Sequence, residues 1–212
     1  MLFELIELLT ISGFRSVYFK NLSNMVEKYK AYKFLEKYDY GVLSTIKEIL
    51  VIEMYFNEIV NIEPLASLTN LKYLYLDNNN IKTIEVLCSL VNLHELSLSN
   101  NEITYIKPLS SLTNLVSLTL NYNNIYSIKP LKKLIGLKDL HISNNNIVDI
   151  RPLKKLNLIE LNISDNNVDI SQLEKLTSLR KLFYNKDELV LKYKNVYYST
   201  LLVDDICVYY ME

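Results

Sequence analysis

The sequence predicts an α/β solenoid: a parallel sheet along one face, short 3₁₀ or irregular helical turns along the other, and capping segments at the ends. Three observations predict it. Apolar residues recur from Ile49 to about Leu182, mostly every 22 residues, and a fixed period of that length marks stacked structural repeats. An asparagine stands at the same place in successive copies. All four prolines, Pro64, Pro108, Pro130 and Pro152, fall at one position of the repeat.

The clearest copies begin at Leu71, Leu93, Leu115 and Leu137, each reading L-x-x-L-x-L-x-x-N-x-I and then I-x-P-L-x-x-L or a near variant. Ile49, Leu71, Leu93, Leu115, Leu137, Leu158 and Leu179 hold the first position. Ile52, Leu74, Leu96, Leu118, Leu140, Leu161 and Leu182 stand three later, and Met54, Leu76, Leu98, Leu120, Ile142 and Ile163 two after that. The copies at Leu137 and Leu158 are each one residue short. The copy at Leu179 keeps Leu182 and is then expected to lose the pattern.

The L-x-L segment alternates, so it reads as a short strand with one face inward. Leu74 and Leu76 point to the core, and Tyr73 and Tyr75 point out. The later half, as in Ile106, Leu109 and Leu112, repeats every three residues, which suits a 3₁₀ or irregular turn with one apolar side. No copy buries its apolar edge alone, so stacking on neighbours supplies the core. The prolines preset the backbone for the first helical turn. The column Asn57, Asn79, Asn101, Asn123, Asn145 and Asn166 is read as a structural asparagine ladder turned inward. Asparagine bonds nearby backbone and tolerates unusual backbone angles, and buried bends need such partners.

These motifs resemble the leucine-rich-repeat family. The half Ile128-Lys129-Pro130-Leu131 and its equivalents are similar to the subclass shared by a protein phosphatase regulatory subunit and the bacterial internalins. The match spans roughly residues 49–185, about two thirds of the chain. The resemblance implies a non-enzymatic binding protein whose concave sheet meets another protein. It also implies, as an alternative, a regulatory subunit of a phosphatase.

The other bounds agree. The 212 residues suit one domain with caps, and the net charge of −1 gives no general pull towards nucleic acid or anionic membrane. No run is long enough for a transmembrane helix. Met1 to Glu7 carries acids where an export signal would carry basic residues, so a cytoplasmic chain is expected. Cys88 and Cys207 lie far apart, without metal-ligand spacing or a disulfide framework, and read as reduced thiols.

Residues 1–48 do not repeat. Leu2 to Ile11 and Leu22 to Tyr38 read as helices on either side of Ser12-Gly13 and the stretch near Tyr18. They predict a helical N-terminal cap that shields the open end of the solenoid; the alternative is an adaptor whose helices dock a second protein. Residues 186–212, with Val196-Tyr197-Tyr198 and Val208-Tyr209-Tyr210, predict a C-terminal cap of strands or a short helix-strand unit. Exposed end strands make the expected state a monomer or a weak homodimer.

Function is then sought on the outward strand positions, which fall into three rows. The first is Val51, Tyr73, Glu95, Ser117, Asp139, Glu160 and Lys181; the second is Glu53, Tyr75, Ser97, Thr119, His141, Asn162 and Phe183. The third is Tyr55, Asp77, Ser99, Asn121, Ser143, Ser164 and Asn185, with Phe56 and Tyr122 just beyond it. Glu53, Tyr55, Tyr73, Tyr75, Asp77 and Glu95 gather at the N-terminal end, with Thr119 and His141 further along, as the candidate partner-binding residues. Aromatic side chains dominate many interfaces, and nearby carboxylates suit a basic partner. A purely structural origin also exists, because the chain has 17 tyrosines and tyrosine favours strands.

Catalysis finds little support. The histidines are His94 and His141; Asp139 shares a face with His141, but no nucleophile motif or metal cluster accompanies the pair. Ser117, Ser143 and Ser164 read as ordinary outward polar residues. The three glycines, Gly13, Gly41 and Gly136, form no phosphate loop. No cofactor is expected. Lys129, Lys132, Lys133, Lys154 and Lys155 lie on the helical side and read as a solvated face rather than a nucleic-acid site.

Overall fold

The computed structural model describes residues 16–19, 51–55, 58–185, 196–203 and 206–211. The helices expected at 2–11 and 22–38, and Phe56 and Asn57, lie outside the described residues. The described strands form one sheet. In chain order they are β1 (Ser16–Phe19), β2 (Val51–Met54), β3 (Tyr73–Tyr75), β4 (Glu95–Ser97), β5 (Ser117–Thr119) and β6 (Asp139–His141). β7 (Glu160–Asn162), β8 (Lys181–Asn185), β9 (Val196–Val203) and β10 (Ile206–Met211) follow. β1 to β8 stand side by side in sequence order and pair parallel. β10 then adds antiparallel to β8, and β9 antiparallel to β10. β1 arises from the stretch around Tyr18, and the tail contributes a two-stranded hairpin.

Between the strands run 3₁₀ helices at Glu63–Ser67, Glu85–Ser89, Lys107–Ser111, Lys129–Lys133, Arg151–Lys155 and Ile170–Lys175. Four of them carry their proline in the first turn, where the missing N–H is not needed. In the second, Val86 takes that place and packs against the core. The aligned leucines and isoleucines of strand, bend and 3₁₀ turn form one continuous core, most of them fully buried. Truncating one such leucine to alanine costs about 2–5 kcal/mol.

The pattern continues one step further than the sequence suggested. Tyr184 occupies the third core position of the last repeat, buried, with its hydroxyl donating to the Val168 carbonyl at 3.0 Å. A phenol with a hydrogen-bonded tip fills the aliphatic slot where the solenoid meets its closing hairpin.

Each described asparagine of the inner column bridges two successive repeats. The Asn101 Nδ2 donates to the carbonyls of Leu76, Leu98 and Ser99, and its Oδ1 accepts from the Ile81 N–H at 3.0 Å. Asn79, Asn123, Asn145 and Asn166 repeat that geometry. The unusual backbone angle falls one residue earlier than the ladder itself. Asn78, Asn100, Tyr122, Asn144 and Asp165 have φ of 52° to 58°, a left-handed conformation that Asn and Asp tolerate best. Turning the chain and filling the bend are therefore divided between two adjacent residues.

Candidate functional site

Strand register converts the three outward rows into physical neighbours. Val51, Tyr73, Glu95, Ser117, Asp139, Glu160 and Lys181 are successive ladder partners. So are Glu53, Tyr75, Ser97, Thr119, His141, Asn162 and Phe183. All of these side chains are half-buried, as expected where close-set strands crowd the residues on either side.

At the N-terminal end, the rings of Tyr55 and Tyr75 lie 6.3 Å apart and tilted, within aromatic contact range. The Tyr75 hydroxyl donates to Glu95 Oε2 at 2.7 Å. Tyr73 lies beside the His94 ring, centroids 6.5 Å apart. Burial, then the charges of Glu53 and Asp77, pushes the Tyr55 phenol up to about 12. Burial, then the hydrogen bond and charge of Glu95, holds the Tyr75 phenol well above the usual tyrosine range. Both phenols therefore keep their protons at neutral pH and remain donors.

The third row behaves differently. Asp77 Oδ1 accepts from the Ser97 hydroxyl and from the Ser99 N–H at 2.7 Å, tying β3 to the next repeat. Asn121 Oδ1 accepts from both the N–H and the hydroxyl of Ser143, and Asn162 Oδ1 does the same for Ser164. Ser143 and Ser164 are consequently buried, at 4% and 0% exposure, which corrects their placement as outward polar residues. The chain has begun to bend inward at this position, so these serine hydroxyls donate to the Asn121 and Asn162 side chains instead of meeting solvent.

The centre, Ser97, Ser117 and Thr119, is lined by small hydroxyl side chains. At its rim sits Tyr122, in the left-handed conformation that other repeats assign to Asn or Asp, and 58% exposed. A tyrosine gains nothing locally from that angle, and strain of this kind concentrates at functional positions.

The C-terminal end holds a network that row-by-row reading missed. Lys181 Nζ bonds both oxygens of Glu160 at 3.1 Å and lies 4.7 Å from the centroid of the Phe183 ring. His141 Nε2 is 3.5 Å from Glu160 Oε1, and its ring is 6.2 Å from that of Phe183. Burial lowers the His141 pKa against the opposing pull of Glu160 and Asp139. Burial, then Glu160, raises that of Asp139. The signal was present in the sequence as the spacing of 21 residues from Glu160 to Lys181 and from Asp139 to Glu160, which places each pair on adjacent strands.

Of the eight candidate binding residues, register brings Glu53, Tyr55, Tyr73, Tyr75, Asp77 and Glu95 together at one end. Thr119 lies in the centre and His141 in the second network. Among the described residues no group of His, Cys, Asp and Glu could hold a metal ion, and no helix is long and apolar enough to cross a membrane.

The sequence profile described as Leucine Rich repeats (2 copies) matches residues 49–89, 91–133 and 113–155. The structure is similar to that of internalin inlF from Listeria monocytogenes, with a TM-score of 0.66 and 36% identity over 69% of this chain and 44% of the other. Internalin C2 (inlC2) of the same organism gives 0.64 and 35% identity, over 69% of this chain and 66% of the other. A leucine-rich-repeat protein of Leptospira interrogans gives 0.59 and 28% identity, over 66% and 38%. The chain thus spans 38% to 66% of the length of these proteins. No curated protein sequence matches it.

Proposed function

This chain belongs to the leucine-rich-repeat family, and we propose that it binds a partner protein mainly through the N-terminal half of its outer sheet face. Proteins of this family generally act by binding other proteins, and the chain carries the same scaffold. The observation that carries the finer reading is the juxtaposition of Tyr55, Tyr73 and Tyr75 with Glu53 and Glu95. No core or ladder role accounts for these half-buried aromatics. Glu53, Asp77, Glu95, Asp139 and Glu160 face a single lysine, Lys181, in the described rows. That balance suits a partner segment bearing Lys or Arg, drawn in electrostatically and then gripped by the tyrosines. Thr119 and the serines around it leave room for a long side chain. His141 and Phe183 would frame the far edge.

Nothing in the described geometry favours a phosphatase partner over this reading. The adaptor alternative rests on segments outside the described residues. The test begins with capture of partners from the native cell and identification by mass spectrometry. Tyr73→Ala with Tyr75→Ala is then expected to weaken capture of the identified partner about 100-fold or more, with the thermal midpoint nearly unchanged. Undiminished capture by a folded double variant would exclude the N-terminal patch.

A further inference from the structure

We propose that the helical side of this chain docks on an anionic lipid bilayer, through the cations of two neighbouring 3₁₀ helices and the isoleucine beside them. The net charge of −1 hides a separation of charge. Along the helical side, Glu63–Ser67 and Glu85–Ser89 carry one acid each and no base. Lys107–Ser111 then carries one base, and Lys129–Lys133 and Arg151–Lys155 carry three each, with no acid. These helices pack side by side. The 22-residue spacing sets Lys129 beside Arg151, Lys132 beside Lys154 and Lys133 beside Lys155. All of these side chains are exposed. Among the described residues, Asp149 is the one carboxylate bonded to any of them, through Arg151 at 2.8 Å. Like charges set side by side repel. The scaffold does not ask for them, because earlier repeats hold Glu63, Ala66 and Ser67, or Glu85, Cys88 and Ser89, at the same positions.

The chemistry of the array suits a bilayer better than a nucleic acid or an acidic protein segment. All but Arg151 are lysines, hydrated point charges that match a diffuse anionic surface. The arginine, whose fork would grip a single phosphate or carboxylate, is already engaged by Asp149. None of the three basic helices carries an aromatic on which a base could stack, and each is too short to enter a duplex groove. Ile135 supplies the apolar part. It follows Lys133 by two positions, on the turn towards β6, and at 71% is the most exposed large apolar side chain among the described residues. The equivalent turn of the next repeat, Leu156-Asn157-Leu158, is one residue shorter. Its Leu156 is extended, with ψ of 144° against 63° for Leu134. Ile135 therefore has no counterpart beside it in that repeat. Basic residues next to a protruding apolar one hold a chain at the interface of an anionic membrane. The same surface repels the sheet face, which carries Glu53, Asp77, Glu95, Asp139 and Glu160. The separated charges thus turn the helical side to the bilayer and leave the sheet face towards solution, free for the partner proposed above.

Flotation of the full chain, without any partner, is expected to show binding to vesicles of phosphatidylcholine with about one third phosphatidylserine, falling as salt rises. Vesicles of phosphatidylcholine alone are expected to bind far less. Lys132→Glu with Lys154→Glu is expected to weaken binding about 100-fold or more. Ile135→Ser is expected to weaken it about 10-fold, and to leave unchanged the retention of the chain on heparin, a polyanion with no apolar phase. No binding by the wild-type chain, or equal binding to both kinds of vesicle, would overturn the proposal, as would binding indifferent to the lysine substitutions. Vesicle binding that Ile135→Ser leaves intact would also overturn it, and would assign the lysines to a soluble polyanion. If the glutamate pair does not fold, Lys132→Gln with Lys154→Gln decides: a loss of about 10-fold is expected, and no loss would equally overturn the proposal. Loss of partner capture in Tyr73→Ala with Tyr75→Ala is expected to leave vesicle binding intact, so failure of the sheet-face reading and failure of this one are distinguishable.

Discussion

The two ends of the outer sheet face use similar residue types in different ways. At the C-terminal end, Glu160 is held by Lys181 and approached by His141, while Lys181 also lies over Phe183. The charges there are largely answered within the chain. At the N-terminal end, tyrosines stand among carboxylates with no lysine or arginine at the outward positions of β2, β3 and β4, and Tyr75 to Glu95 is a neutral-to-charged hydrogen bond. A face that neutralises itself has less to offer a charged partner. The difference teaches that exposure and aromatic content do not identify a binding surface alone. What matters is whether the neighbouring strands have already satisfied the group.

The comparison holds only if the frame beneath both ends is the same, and the largest expected effect tests that. Asn101 lies under the N-terminal half and Asn145 under the C-terminal half. Each satisfies one buried N–H, of Ile81 or Ile125, and several buried carbonyls. Asn101→Ala and Asn145→Ala should each cost about 3 kcal/mol or more in denaturant unfolding, since the backbone groups they leave have no water to turn to. Equal losses would confine the contrast to the face. A much smaller loss at one end would place the contrast in the scaffold and break the argument.

The frame was legible in the sequence because its constraints repeat. A leucine that must be buried in every copy appears in every copy, so Leu74, Leu96, Leu118 and Leu140 could be aligned by spacing alone. The outward rows were also legible, because register follows from the same spacing. Non-repeating events were not. Tyr184 replaces an aliphatic core residue only where the solenoid ends, and no earlier copy announces it. Ser143 and Ser164 look outward by parity, yet the strand has already turned when they are reached. The Lys181–Glu160–His141 network depends on how far three side chains reach across strands, which spacing does not specify.

A smaller effect separates the two ends by pH. The Tyr55 and Tyr75 phenols titrate higher in the folded chain than the ordinary value of about 10. Their contribution to stability is present below about pH 10 and is lost as pH rises, through about 12 for Tyr55. The His141 pKa is lowered by folding from roughly 6.5. Its contribution is present above that value and is lost as pH falls through the lower folded one. Asp139 opposes it in acid, because a raised carboxyl pKa gains stability as pH falls through the folded value. Thermal midpoints across pH should therefore show Tyr75→Phe flattening the alkaline decline and His141→Gln flattening the decline just below neutrality. If either substitution flattened the other limb, the assignment of titrating groups to the two ends would be wrong.

The smallest effect is the most selective. Glu160 raises the pKa of both His141 and Asp139, while Lys181 lowers both. Removing the carboxylate charge with Glu160→Gln leaves burial and Lys181 to act on His141 against Asp139 alone. NMR titration should then find both groups shifted downward together, His141 further below its ordinary value and Asp139 back towards its own. Phe183 should keep its contact with His141, since neither ring depends on the charge. An upward shift of His141 would mean that Glu160 acts mainly by restraining Lys181 rather than by its own charge. In that case the C-terminal end would not be self-neutralised in the way that distinguishes it from the tyrosine end.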